Sequence, residues 1–247
     1  MNDDELRAHL LYLKLSYFRE YHQPLAKEAA EKNRGHLDFL SRLVEGECLR
    51  RKDHVTQRRI QAAHFPVIKT LEQFNWSWPS KINRAQVQNL FRLSFVKEKA
   101  NVVFMGGVGL GKTHLATALA YESCLGGYTA LHTTAIDIVN TLAAAQSANR
   151  LKAELKRYLS PHILLIDELG YLPIDKTGAD LLFQIFSQRY ETGSIVATTN
   201  QAYKNWAKIF NHDATITSAV LDRLLHHAET VMIEGKSYRM KDQIDEP

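Results

Sequence analysis

Eight consecutive residues constrain this chain more than anything else in it. Gly106-Gly107-Val108-Gly109-Leu110-Gly111-Lys112-Thr113 matches GxxxxGK[ST], follows an apolar run directly and opens a helical pattern. A strand that feeds a helix through such a turn is a phosphate-binding loop. Its glycines let successive main-chain N–H groups curl round a phosphate at a helix N-terminus, where the helix dipole favours negative charge. Lys112 then reaches the β and γ oxygens, Thr113 offers a hydroxyl to Mg²⁺, and His114 closes the nucleotide-cradling segment.

The sequence around the loop alternates short apolar runs with longer helical patterns, which predicts an α/β fold with a parallel sheet covered on both faces. The expected strands are Asn101 to Met105, Thr129 to Thr133, Ile163 to Asp167, Ile195 to Thr199 and Thr230 to Ile233. The expected helices are Lys112 to Leu125, Ile136 to Ala145, Leu151 to Leu159, Lys176 to Tyr190 and Ile216 to His226, with a further helical segment from Arg84 to Lys97. Residues 1–70 read differently. Leu6, Leu10, Leu13, Tyr17 and Tyr21 recur at spacings of 3 and 4, and Leu37, Leu40, Leu43 and Val44 form a second stripe, so a small all-α domain of packed amphipathic helices is expected there, with Pro24 and Pro66 punctuating it. The boundary is placed near residue 70, before the aromatic stretch Phe74 to Ser80, which leaves 71–247 for the nucleotide-binding domain.

Three further positions extend the chemistry. Ile163 to Ile166 is an apolar strand that ends in Asp167-Glu168 and aims two acids at the carboxyl edge of the sheet, where α/β proteins hold ligands. Asp167 is expected to hold Mg²⁺ through water, and Glu168 to polarise the water that attacks the γ-phosphate. Asn200, which ends the next strand, is placed to bond that water or the γ-phosphate. Arg223, in a late helix, lies just before an apolar pair, as an arginine finger would. No NKxD-like base-reading motif follows the loop, which argues against a GTPase.

With 247 residues, 45% of them apolar, the chain can bury a core without staples. The formal net charge of +4 is only a weak pointer to an anionic partner. Cys48 and Cys124 are too far apart for a CxxC pair, no apolar run approaches the roughly 18 residues of a membrane span, and the first residues are acidic, so a cytoplasmic protein is expected.

Gly-Lys-Thr-His-Leu-Ala at 111–116, Asp-Glu-Leu-Gly-Tyr at 167–171, Thr-Thr-Asn at 198–200, Asp-Arg-Leu-Leu-His-His-Ala at 222–228, Gly-Lys-Ser-Tyr-Arg at 235–239 and the leader Phe74-Asn75-Trp76 together resemble the IstB family, the helper ATPases encoded beside the transposase of certain bacterial insertion sequences. The likeness runs from about Leu6 to Arg239. DnaC-type helicase loaders and the initiator DnaA are the next most similar. The resemblance implies an AAA+ module that binds ATP and Mg²⁺ between neighbouring subunits of a homo-oligomer, binds double-stranded DNA and recruits or stimulates a transposase. It assigns residues 106–113, Asp167, Glu168 and Asn200 to one subunit's nucleotide and Arg223 to a neighbour's γ-phosphate. Only 24 residues follow Arg223, too few for a helical lid, so the usual lid arginine is missing or replaced by Arg239. Two rival readings remain: a DnaC-type loader, which differs in its partner, and a structural DNA-binding protein that uses ATP only as a switch.

Two basic clusters are candidates for DNA contact: Arg50, Arg51, Lys52, Arg58 and Arg59, and the helical set Arg150, Lys152, Lys156 and Arg157. Phosphate neutralisation by either predicts salt-sensitive, largely sequence-indifferent binding. Consecutive histidines on a helix are expected to diverge, so His226 and His227 are read as surface residues and no metal beyond Mg²⁺ is assigned.

Overall fold

The computed structural model describes residues 2–238, in two compact units that divide between Arg58 and Arg59. The division falls twelve residues before the expected boundary at 70, inside a continuous helix, so the segment 59–70 packs with the second unit.

The first unit is helical. Helix α1 (Asp3–Tyr12) is closed by a capping box in which the Asn2 side chain accepts from the Glu5 N–H at 2.8 Å and the Asn2 N–H donates to the Glu5 carboxylate at 3.1 Å. Lys14, at φ 57°, turns the chain into α2 (Ser16–Glu31), so the first apolar stripe is divided between two helices. Helix α2 runs through Pro24 instead of stopping there, giving up one main-chain hydrogen bond. Leu15 offers α2 no side-chain cap, and Glu47 of α3 (His36–Ala62) serves instead, accepting from the Tyr17 N–H at 2.7 Å and from Arg51 Nε at 3.0 Å. The helices meet closely there: a Cβ on Gly46 would lie 2.1 Å from the Tyr17 ring. The second stripe is not the packed face the periodicity predicted. Leu43 is buried, but Leu37 is 80% exposed, and Leu40 and Val44 are also exposed.

In the second unit the elements run β1 (Lys81–Ile82), α4 (Arg84–Leu90), α5 (Ser94–Lys97), β2 (Asn101–Gly106), α6 (Lys112–Leu125), β3 (Ala130–Thr134), α7 (Ala135–Ser147), α8 (Leu151–Leu159), β4 (Ile163–Asp167), α9 (Lys176–Arg189), β5 (Ser194–Thr199), a 3-10 turn (Tyr203–Lys208), α10 (Ala214–Leu225) and β6 (Ala228–Glu234). The helical segment expected over 84–97 is broken in two, because Leu93 sits in the left-handed region at φ 63°. The six strands are ordered β1-β6-β2-β5-β4-β3, with the two-residue β1 antiparallel at the edge and the rest parallel.

Alternation along the strands feeds two apolar layers. Val103, Leu164, Ile166, Ile195 and Ala197 face α7, α8, α9 and α10, and Val102, Phe104, Leu165, Val196 and Val231 face α4, α5 and α6. At the amino ends of β4 and β5 the buried Arg189 guanidinium donates to the carbonyls of Tyr158, Leu159, Pro161, His162 and Ser194 at 2.8–3.3 Å. Burial pulls this group down to about 10, so it stays charged at neutral pH. Among the described residues no helical lid follows β6, and no helix is long and apolar enough to cross a membrane.

Candidate nucleotide site

Strand order decides what meets at the carboxyl edge. Because β2 lies beside β5, and β5 beside β4, the loop after Gly106, the acids after Ile166 and the polar end of β5 become neighbours although they are far apart in sequence. This is the edge at which parallel α/β sheets take ligands.

The loop is shaped from both sides. Gly109 (φ 73°) and Gly111 (φ 87°) are left-handed, and a Cβ would lie 2.1 Å from Ser237 Oγ at the first and 2.6 Å from the Phe74 ring at the second. A side chain at either position therefore meets conformational strain and a neighbour at once. The segment after β6 returns to the loop, where the Tyr238 N–H donates to the Gly109 carbonyl at 2.9 Å, and Trp78 Nε1 donates to the Lys236 carbonyl at 2.8 Å. Val108 is exposed, whereas Leu110 is buried beneath the loop. Lys112 is buried, with Nζ donating to the Gly107 carbonyl at 2.6 Å and lying 5.8 Å from the Tyr171 ring centroid. The His114 ring is tied to the leader segment: Nε2 pairs with the Thr70 carbonyl at 2.9 Å, the ring meets Phe74 edge-on, and burial lowers its pKa.

Thr113 and Asp167, the two residues expected to serve Mg²⁺, lie together at 3.0 Å from Oγ1 to Oδ1. The same carboxylate oxygen accepts from Thr198 Oγ1, a residue of the Thr-Thr-Asn motif with no role assigned to it from sequence. Thr198 also accepts from the Glu168 N–H at 3.0 Å and so holds both acids of the pair. The other oxygen of Asp167 faces His132 Nε2 at 3.9 Å. His132, silent in the sequence pattern, is half-buried on β3, and its buried Nε2 has no hydrogen-bond partner. Burial lowers its pKa, opposed by the charge of Asp167. Glu168 is exposed and left-handed at φ 58°, which turns its side chain out of the strand. The amide oxygen of Asn200, at the end of β5, is buried without a partner. Buried polar atoms are rarely left unpaired, so these two have hydrogen-bonding capacity to offer a ligand at this edge. A threonine hydroxyl beside a carboxylate is the hard-oxygen donor set that suits Mg²⁺.

The remaining candidates lie elsewhere. Arg223 donates to the Ala219 carbonyl at 2.9 Å and lies over the Phe183 ring at 5.2 Å. Arg239 is outside the described residues. Arg50 is paired with Glu20 at 2.7 Å and stacks on Tyr17 and Tyr21, and Arg51 is held by Glu47, so neither is an uncommitted charge. Lys52, Arg58 and Arg59 form no ion pair among the described residues. In the second cluster Arg157 pairs with Glu154 at 3.4 Å, while Arg150, Lys152 and Lys156 are exposed. His226 and His227 do not diverge. Helix α10 ends at Leu225, so His226 is its C-cap and His227 already leads into β6, which brings the ring centroids within 4.1 Å.

The family model described as IstB-like ATP binding protein matches residues 8–245. The insertion sequence IS21 ATP-binding protein of Pseudomonas aeruginosa is 36% identical over 97% of this chain and 90% of its own length. The corresponding protein of IS5376 from Geobacillus stearothermophilus is 34% identical over 94% and 92%. Among solved structures, the DnaC helicase loader superposes with a TM-score of 0.54 at 21% identity, covering 67% of this chain and 96% of that one. DnaA from Aquifex aeolicus, bound to AMPPCP, gives 0.55 at 24%, covering 70% and 52%. The α/β fold is thus shared with the DnaC helicase loader and DnaA, and the chain belongs to the IstB-like ATP-binding protein family.

Proposed function

We propose that this chain is a Mg²⁺-dependent ATPase that assembles into a homo-oligomer with nucleotide between subunits, binds duplex DNA and assists a transposase in the bacterial cytoplasm. The observation that carries the reading is the joined set at the carboxyl edge, in which Thr113, Asp167 and Thr198 form one hydrogen-bonded group below a glycine loop, with Lys112 buried beside it. Thr113 and Asp167 would hold Mg²⁺, which would supply neutralisation of the phosphate charge. Residues 106–113 bind the phosphates through main-chain N–H groups. Glu168, turned toward solvent, orients and deprotonates the attacking water, and Asn200 positions that water or the γ-phosphate. The insertion-sequence origin of the relatives favours a transposase as partner over a replicative helicase.

The test separates binding from chemistry. Glu168→Gln should retain ATP affinity and lose turnover by about 10² or more, whereas Lys112→Ala should lose affinity itself. A Glu168→Gln variant that hydrolyses ATP at the wild-type rate removes Glu168 as the base.

For DNA, the pairing of Arg50 and Arg51 within their own unit narrows the reading to Lys52, Arg58 and Arg59 together with Arg150, Lys152 and Lys156. Removing one phosphate-neutralising side chain should lower the slope of log affinity against log salt by about 0.9. An Arg58→Ala, Arg59→Ala variant with an unchanged slope transfers the DNA path to Arg150, Lys152 and Lys156. Pull-down of a replicative helicase instead of a transposase would support the loader reading.

A further inference from the structure

Away from the phosphate loop, at the amino edge of the sheet, Glu191, His226 and His227 bring three ligand atoms within 4.8 Å of one another. All three are exposed and come from two elements: Glu191 follows the end of α9, and the histidines end α10 and start the turn into β6. We propose that this cluster is a binding site for a divalent transition-metal ion of the zinc class, distinct from the Mg²⁺ expected at the phosphate loop.

The donor set carries the assignment. Two imidazoles and one carboxylate suit Zn²⁺, Co²⁺, Ni²⁺ or Cu²⁺ and are a poor match for Mg²⁺ or Ca²⁺, which take oxygen ligands. Three protein ligands leave at least one coordination position to water. Two electrostatic features favour a cation here. Helices α9 and α10 both end at the cluster, with Tyr190 and His226 as their C-caps, and a helix C-terminus carries a partial negative charge.

The surroundings also fix the ligands. The Tyr190 hydroxyl pairs with His226 Nδ1 at 3.0 Å, which leaves Nε2 available; metal-bound histidines commonly have their other nitrogen held this way. The His227 carbonyl accepts from the Asn101 N–H at 2.7 Å, which anchors the turn to the first residue of β2. Glu191 is left-handed at φ 56°, a conformation that favours glycine or asparagine, yet this sequence places a carboxylate there. Asp222, Glu191 and Arg223 are the charged side chains that bear on Tyr190. A bound ion would tie the end of α9 to the end of α10, one turn beyond Arg223.

The test is titration of the full chain with Zn²⁺ alone, without nucleotide, followed by calorimetry, with Co²⁺ absorption as a second probe. One ion per chain is expected, with a thermal midpoint that rises on addition of Zn²⁺. Affinity should fall at least 100-fold in a His226→Gln, His227→Gln variant and at least 10-fold in Glu191→Gln. Tyr190→Phe, which leaves all three ligands in place, should weaken binding about 10-fold. Should the double histidine variant fail to fold, Glu191→Gln, on an exposed turn, decides the matter. Uptake unchanged by these substitutions, or no uptake by the wild type, overturns the site.

Discussion

The two edges of the parallel sheet are built on opposite terms. At the amino edge, Arg189 closes five carbonyls, and Asn101 bridges α10 to β5, its amide donating to the Leu224 carbonyl and accepting from the Ile195 N–H. At the carboxyl edge, His132 Nε2 and the Asn200 amide oxygen are buried without partners, and Glu168 is held left-handed. At one edge a dense set of hydrogen bonds locks the strands together, although Arg189 Nε is itself left without a partner, while at the other the unpaired groups keep hydrogen-bonding capacity for a ligand at some cost in stability. Stability and function are thereby separated along the strand axis, and substitutions at the two edges should differ in sign as well as size.

The largest expected effect tests whether the separation survives assembly. Arg223 lies on α10, whose end packs toward the amino edge, yet it is proposed to serve a neighbour's γ-phosphate. Arg223→Ala should lower ATP turnover by on the order of 10³ or more with little change in thermal midpoint. Mixing it with Lys112→Ala should restore some turnover, because one mixed interface pairs an intact loop with an intact finger. If mixed assemblies form and no activity returns, the two edges do not cooperate across an interface.

Arg189→Met should show the reverse pattern. It strips the donors from several buried carbonyls and should cost about 3 kcal/mol or more in urea unfolding, while nucleotide affinity of the folded fraction stays near wild type. A stable Arg189→Met protein would show that strand pairing and the Asn101 bridge hold the amino edge without Arg189.

The smallest effect is a gain. His132→Leu removes a buried nitrogen with no partner and should stabilise the protein by up to about 1 kcal/mol, measured at pH 7. The pH dependence has a defined sign. Burial holds His132 and His114 below the ordinary value, so the unfolded chain takes up protons first as the pH falls, and stability should decline from about pH 7 toward pH 5. His132→Leu should flatten part of that decline, and an unchanged profile would assign the acid sensitivity to other groups.

What is legible in the sequence follows from how far apart the cooperating residues lie. The phosphate loop is contiguous, and β4 is an unbroken apolar run, so both can be read directly. Thr198 and His132 belong to the same site, but only the order β3-β4-β5 places them beside Asp167, and single-strand patterns carry no information on strand order. The two-residue β1 is too short for any periodicity, and the break at Leu93 depends on one backbone angle. The stripe at Leu37, Leu40 and Val44 has helical spacing without burial, since periodicity reports a face and leaves open whether anything covers it. The histidine pair departs from the expected divergence because α10 stops one residue short of its expected end.

The pairing of β2 with β6 bears on the order in which a growing chain can mature. Asn101 is registered with Ala228, 127 positions later, and the Gly109 carbonyl waits for Tyr238. While the chain emerges from the ribosome, the segment bearing the phosphate loop is exposed long before the strand and the returning segment that shape it exist. Nucleotide competence should therefore be acquired last during synthesis, after the helical N-terminal unit is complete, which leaves β2 with an unpaired edge in the interval and makes it the segment most in need of shielding from other nascent chains.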